Sequence, residues 1–261
     1  MKIALEVRQD FSDLTFRNLP KTTDTLEKIK LQSFAKQMRD SIKDTSARRI
    51  KTKRDFQDAG TGQVSVVDRF GNACSSTPTI NYPFGSLVVG KRTGLIFNNQ
   101  MDDFDVPQGT FNDEDLLMNT ENLAEKGKRP LSSTSPIIIT ERKSKKLRLV
   151  AGAIGGQKIP AALTAVLFAN IYLGMDIKEA IDMYRLYPTF DILKFEKGFS
   201  KNVLQHLERL GHVTRMHKST PSTVVVIEVE SDEDPYIGSN GSKFKIKANS
   251  DYRKGASVAG F

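Results

Sequence analysis

The composition of the chain changes abruptly at Asp58-Ala59-Gly60, and this boundary constrains the fold more than any other feature of the sequence. Before it the chain is densely charged. After it Val64, Val66 and Val67 lead to Gly71-Asn72 and then to Ala73 through Ile80, the pattern of a β-hairpin. Charge divides at the same place: 39 Lys and Arg against 31 Asp and Glu give +8 over 261 residues. Met1 to Gly60 holds 14 basic and 9 acidic residues, or +5, leaving +3 for the 201 residues from Thr61 onward. So small an excess argues against a nucleic-acid-binding face there. The one dense basic run, Arg48, Arg49, Lys51, Lys53 and Arg54, reads as a solvated loop. The length admits either two small domains or one larger one.

Within the first quarter, Asp24-Thr25-Leu26-Glu27 has capping-box spacing and Leu31, Phe34, Ala35, Met38 and Ile42 follow at helical intervals. This predicts one amphipathic helix from Thr25 to about Asp44. Beyond the boundary, Pro107 to Gly127 is polar, without apolar period, and long for a loop in a compact domain, which marks it as a lid or insertion. Pro136–Thr140 and Leu147–Ala151 flank Glu141–Lys146 as a second hairpin. Gly152, Gly155 and Gly156 then lead into a helix whose first turn holds Pro160, where a missing N–H does no harm. Helices are expected at Ile177–Arg185 and at Lys201–Leu210, the latter stopped by Gly211, and late strands at Thr223–Glu230 and Lys243–Ala248. Strands, then helices, then strands make a mixed α+β fold.

Several chemistries are disfavoured directly. A single cysteine, Cys74, permits no internal disulfide and no multi-cysteine zinc site. His206, His212 and His217 are spaced by six and five residues, not the four of a helical metal pair, so no metal ligand set is assigned. No histidine accompanies a nucleophile elbow. The most apolar stretch, Ala161 to Met175, is interrupted by Thr164 and Asn170 and is shorter than the ~20 residues of a membrane helix. Glu6, Arg8 and Asp10 end the apolar start before a signal-peptide core can form. Two segments keep chemical potential. Asn98-Asn99-Gln100-Met101-Asp102-Asp103-Phe104 gathers amides and carboxylates between apolar flanks, which alone also suits an Asx turn. Gly152-Ala153-Ile154-Gly155-Gly156 joins a strand to a helix, where backbone N–H groups can face an anion, or where the glycines merely allow tight packing.

Taken in order, these segments carry a resemblance stronger than any one of them. Asp58-Ala59-Gly60-Thr61, Val64-Ser65-Val66-Val67-Asp68, Gly71-Asn72-Ala73, Thr79-Ile80-Asn81, Phe84-Gly85-Ser86, Asn98 to Phe104, Lys128-Arg129-Pro130-Leu131-Ser132-Ser133 and Gly152 to Gly156 resemble the small subunit of the γ-glutamyltranspeptidases. The ending Asp251-Tyr252-Arg253-Lys254-Gly255 is similar to that family's C-terminus, and residues 1–60 resemble the tail of its large subunit. The resemblance implies an N-terminal-nucleophile hydrolase αββα sandwich, with residues 61–261 as the small catalytic subunit. A precursor would cleave itself between Gly60 and Thr61, freeing Thr61 as nucleophile. A chain-terminal amine has a pKa of about 7.7 to 8.0, so Thr61 would supply hydroxyl and base together.

Position by position, the resemblance implies that Thr79 orients Thr61. Asn81, Gln100 and Asp103 would hold the α-amino end of a γ-glutamyl donor, and Ser132 and Ser133 its α-carboxylate, while Gly155 and Gly156 would form the oxyanion hole. No cofactor is implied. The partners implied are glutathione and other γ-glutamyl donors, water or an amino acid or dipeptide as acceptor, and the large subunit of the same precursor. The complete family protein would stand on the extracellular face of the plasma membrane or be secreted. Departures are Gly62-Gln63 after Thr61, where the family usually has a small residue and a histidine, and Pro78 and Pro83 around Thr79 to Asn81; Gln100 is the bacterial variant. Most of the large subunit, including the arginine that grips the donor carboxylate, is expected to lie outside this chain. Alone, the chain is then expected to be inactive, with strand faces such as Val224, Val226 and Ile137–Ile139 uncovered. The rival is a light-chain-like protein that keeps the fold as a non-catalytic interaction or vestigial module.

Overall fold

A computed structural model describes residues 1–16, 19–47, 60–106, 119–189, 192–217, 222–230 and 245–260. The basic run at 48–54 and the first twelve residues of the expected lid, 107–118, lie outside these. The chain forms two compact units, each drawn from three stretches: Met1–Phe56, Asn99–Ser132 and Leu186–His217 in the first, Gln57–Asn98, Ser133–Arg185 and Lys218–Phe261 in the second.

The second unit is organised around β4. Two hairpins take the expected places: β1 (Val64–Val67) pairs with β2 (Ala73–Ser76), and β3 (Ile137–Thr140) pairs with β4 (Leu147–Ile154). With β8 (Thr223–Glu230) and β9 (Lys245–Ser250), the latter pair completes an antiparallel sheet ordered β3-β4-β8-β9. Along a strand alternate side chains face opposite ways, and β4 is apolar on both faces. On one face Val150 packs with Val67 and Ala73 of the first hairpin, and Gly152 lies under Gln63. Leu149, Ala151 and Ala153 must then point to the other face, and all three are fully buried. The helices α4 (Ile159–Leu173) and α5 (Ile177–Asp182) pack against the sheet. Hairpin, sheet and helices thus make three layers.

The same packing corrects one expectation. Val224 and Val226 are not left uncovered; both are completely buried, because β8 is a central strand flanked by β4 and β9 and touched by α4, α5 and β1. Of the Ile137–Ile139 run only Ile138 is exposed. At the start of β8, Asp251 fixes two arginines. Its Oδ2 accepts from Arg185 Nη2 at 2.7 Å and from the Val224 N–H at 3.1 Å, and its Oδ1 accepts from Arg253 Nη1 at 2.9 Å.

In the first unit the helical period predicts one long helix, whereas the chain makes α1 (Lys2–Arg8), α2 (Pro20–Ile29) and α3 (Gln32–Asp40). The apolar repeat runs unbroken through Leu31, but Leu31 itself is extended, with ψ 134°, and starts a new helix. Asp24 does not cap; it sits inside α2 and pairs with Lys28. Pro20 opens that helix, and its cap comes from far along the chain: Glu121 accepts the N–H groups of Lys21 and Thr22, each at 2.8 Å. A carboxylate at a helix N-terminus also meets the positive end of the dipole. The remaining elements are β5 (Leu186–Pro188), β6 (Ile192–Phe195), α6 (Lys201–Arg209) and β7 (Val213–Met216), with β6 and β7 parallel across α6.

Candidate active site

The hairpin that begins the second unit continues backwards past β1. Thr61 bridges Thr79 in antiparallel fashion, with the Gly62 N–H donating to Pro78 O and the Gly60 N–H to Asn81 O, both at 2.8 Å. This pairing draws the predicted nucleophile and its orienter together. Thr61 Oγ1 donates to Thr79 Oγ1 at 3.1 Å, and Thr79 Oγ1 lies 3.5 Å from the carbonyl oxygen of Gly60. Thr79 Oγ1 also accepts the Asn81 N–H at 3.0 Å. The two hydroxyls and the carbonyl before Thr61 therefore lie in one file, the second link at the outer limit of a hydrogen bond. Pro78 and Pro83 do not disturb it, because neither position is asked for a backbone N–H.

Why Gly60 is a glycine follows from the same approach. A Cβ there would lie 2.3 Å from Tyr82 O and 2.8 Å from Asn81 O, so only a bare backbone fits. Asn81 is buried and sits at φ 71°, in the left-handed region that asparagine tolerates better than most residues. Gln63, the departure from the family's usual histidine, is held on four sides. Its Nε2, with two N–H groups to donate, lies 3.1 Å from each of Val64 O, Ser65 Oγ and Ser75 Oγ, and its Oε1 accepts from Thr77 Oγ1. It lies flat against Gly152, whose missing side chain makes the room. Two residues from Thr61 the chain thus touches β4, three residues short of Gly155.

Gly155 and Gly156 fall where β4 ends and a 3₁₀ turn, Gly156–Lys158, leads into α4. The first N–H groups of a helix have no acceptor within it, which suits them to a developing oxyanion. Gly155 has φ 121°, and a Cβ on it would meet Ser222 Cα at 2.8 Å. Ser222 is itself fixed: its hydroxyl donates to Ile154 O at 2.6 Å and its carbonyl accepts from Arg185 Nη1 at 2.8 Å. Sequence reasoning missed both Ser222 and Arg185, since neither lies in a recognisable motif.

Ser133 is half-buried in this second unit, and its carbonyl accepts from Ser135 Oγ at 3.1 Å. Gln100, Asp103 and Ser132 belong to the first unit. Gln100–Asp103 is one 3₁₀ turn with Asp103 half-buried, and Ser132 is exposed. Arg8, from α1, shares the field of Asp103 and Asp105. Burial lowers the pKa of its guanidinium, and the two carboxylates oppose that shift. Among the described residues no cluster of His, Cys, Asp and Glu could hold a metal ion, and no helix is long and apolar enough to cross a membrane.

A hairpin and an antiparallel sheet covered by helices, with the glycine joint at the end of the central strand, define an N-terminal-nucleophile hydrolase fold. The family model described as Gamma-glutamyltranspeptidase matches residues 1–261, and the chain belongs to that family of enzymes. It is 37% identical over 205 residues to Scoloptoxin SSD14 of Scolopendra dehaani, covering 78% of this chain and 33% of that protein. Against the glutathione hydrolase proenzyme of Escherichia coli it is 36% identical over 170 residues, covering 64% and 29%. A solved mutant γ-glutamyltranspeptidase from Helicobacter pylori superposes with TM-score 0.63 at 33% identity, covering 75% of this chain and 100% of that one. The chain thus spans about a third of the length of these two curated relatives.

Proposed function

We propose that this chain carries the catalytic centre of a γ-glutamyltransferase that uses Thr61 as nucleophile on glutathione and related γ-glutamyl compounds. The observation that carries the reading is the Thr61–Thr79 hydroxyl pair beside the Gly60 carbonyl. In the precursor, Thr61 Oγ1 attacks the Gly60 carbonyl carbon while its proton, relayed through the Thr79 hydroxyl, ends on the departing Thr61 nitrogen. The Gly60–Thr61 bond shifts from nitrogen to oxygen, and water releases residues 61–261 with a free amine on Thr61. Residues 1–60 then form the tail of the large subunit.

In the mature enzyme that amine takes the proton from Thr61 Oγ1 as the hydroxyl attacks the donor's γ-carbonyl. The tetrahedral oxyanion is held by the Gly155 and Gly156 N–H groups, each such donor being worth about 2.7 to 4 kcal/mol to the transition state. Collapse expels the donor's amine, protonated by the Thr61 ammonium, and leaves a γ-glutamyl ester on Thr61. Water then yields glutamate, while an amino acid or dipeptide yields a new γ-glutamyl product. Asn81, Gln100 and Asp103 take the donor's ammonium, and Ser132 and Ser133 its carboxylate.

The test is capture of the ester. The mature protein, prepared from its full-length precursor, is mixed with a γ-glutamyl anilide, quenched in acid within the first turnover and digested. The peptide beginning at Thr61 is expected to carry one γ-glutamyl mass. An unmodified Thr61 peptide during steady turnover, or the adduct on another residue, would overturn the assignment.

A further inference from the structure

Between the two groups assigned to the ends of the donor stands one buried side chain that no motif announces. Asn122 closes the 3₁₀ turn Thr120–Asn122 and is 2% exposed. Its Nδ2 donates to the backbone carbonyl of Asp103 at 3.1 Å and to Asp105 Oδ2 at 3.0 Å. Its Oδ1 accepts the N–H of Leu131 at 3.1 Å. The backbone joins in, since the Asp105 N–H donates to Asn122 O at 3.0 Å. Both amide functions are therefore used, one toward the Asp103 turn and the other toward the residue preceding Ser132.

We propose that Asn122 is a positioning residue, fixing the spacing between the Asp103 carboxylate and the Ser132 hydroxyl and so selecting donors that carry an α-ammonium and an α-carboxylate on one carbon. The inference rests on the donor-site reading above and deepens it. Its physical basis is that an amide presents a donor and an acceptor about two ångströms apart in one rigid plane. Two segments bonded in that plane to its two ends cannot drift independently. Asn122 is anchored in turn, because Asn119 Oδ1 accepts the Glu121 N–H at 3.1 Å and Asn119 Nδ2 donates to Phe11 O at 2.7 Å. The carboxylate that Asn122 meets is that of Asp105, and the Arg8 guanidinium lies in the field of Asp105 and Asp103.

The experiment measures competitive inhibition of the mature enzyme by glutamate, glutarate and 4-aminobutyrate, which carry both head-group charges, the carboxylate alone and the ammonium alone. In the parent, glutamate should bind better than either analogue. Asn122→Ala frees both segments and should shrink both preferences by roughly three- to tenfold, the worth of one ordinary hydrogen bond each. Asn122→Asp keeps the acceptor for Leu131 but loses the donor toward Asp103. It should shrink the preference over glutarate, which lacks the ammonium, and spare the preference over 4-aminobutyrate. A role confined to stability would lower the amount of active enzyme without changing these ratios. Unchanged ratios in both variants, or failure of both to mature, would overturn the proposal while leaving the donor site standing. No preference in the parent would overturn the donor-site reading itself, and this inference with it.

Discussion

Replacing Asp251 by alanine should strongly destabilise the second unit. The side chains of Asp251 and Arg185 are both completely buried, and Arg253 Nη1 reaches the same carboxylate with its side chain only 4% exposed. Alanine would leave two guanidinium groups beside an empty cavity, and would strip the Val224 N–H of its acceptor. Breaking a buried pair by removing one partner costs about 3 to 5 kcal/mol, a large share of the ~5 to 15 kcal/mol that holds an ordinary domain together. The damage should also reach the chemistry, because Arg185 holds the Ser222 carbonyl and Ser222 abuts Gly155. Urea unfolding followed by circular dichroism, run on parent, Asp251→Ala and Asp251→Asn, measures the first effect. Asparagine retains an acceptor and should lose less than alanine. For the second effect, kcat should fall in Asp251→Ala with KM for the donor little changed. A loss of stability below about 1 kcal/mol for the alanine variant would refute the reasoning, because it would mean that water reaches and solvates both arginines.

Two further outcomes follow from the first unit. Asp103→Asn in the mature enzyme should weaken donor use by roughly 2 to 5 kcal/mol in kcat/KM, the range for losing one partner of a buried charge pair, while cleavage before Thr61 continues; unchanged donor kinetics would remove Asp103 from the ammonium site. Asp13 accepts the Arg129 N–H at 2.9 Å and the Thr15 hydroxyl at 2.8 Å, which hold its carboxyl well below the usual range. A depressed folded-state pKa contributes stability that is present above the unfolded value of about 3.9 and is lost as pH falls through and below it. The parent should therefore destabilise on acidification from pH 5 to 2 more steeply than Asp13→Asn; parallel pH profiles of the urea midpoint would contradict this.

How far the sequence could be read depended on where the determinants lie. The hairpins around Gly71-Asn72 and Glu141–Lys146, the strand–glycine–helix joint and the Gly211 stop are local devices, and their boundaries are visible in neighbouring residues. The break at Leu31 is not, because the apolar period crosses it unchanged and the cap of α2 comes from Glu121, about a hundred residues away. The strands β5, β6 and β7 have three or four residues each, too few for alternation to show. At the candidate site, Thr61, Thr79 and Asn81 are assigned through a family resemblance rather than a local pattern, and the chain pairs Thr61 with Thr79. Asn122, Ser222 and Arg185 were illegible because each acts through backbone groups of distant segments. A polar residue that folding buries leaves no periodic trace. The expectation that Val224 and Val226 would be bare failed for a related reason: a valine-rich strand does not disclose whether its cover comes from this chain or another.

The central claim, that Thr61 is the nucleophile both of its own cleavage and of γ-glutamyl transfer, is tested most directly by intact-mass measurement on the full-length precursor. The parent should divide into two fragments, the second beginning at Thr61. Thr61→Ala should remain a single uncleaved chain and release no glutamate from glutathione. A Thr61→Ala protein that still divides before residue 61, or that turns over glutathione at the parent's rate, would contradict the account.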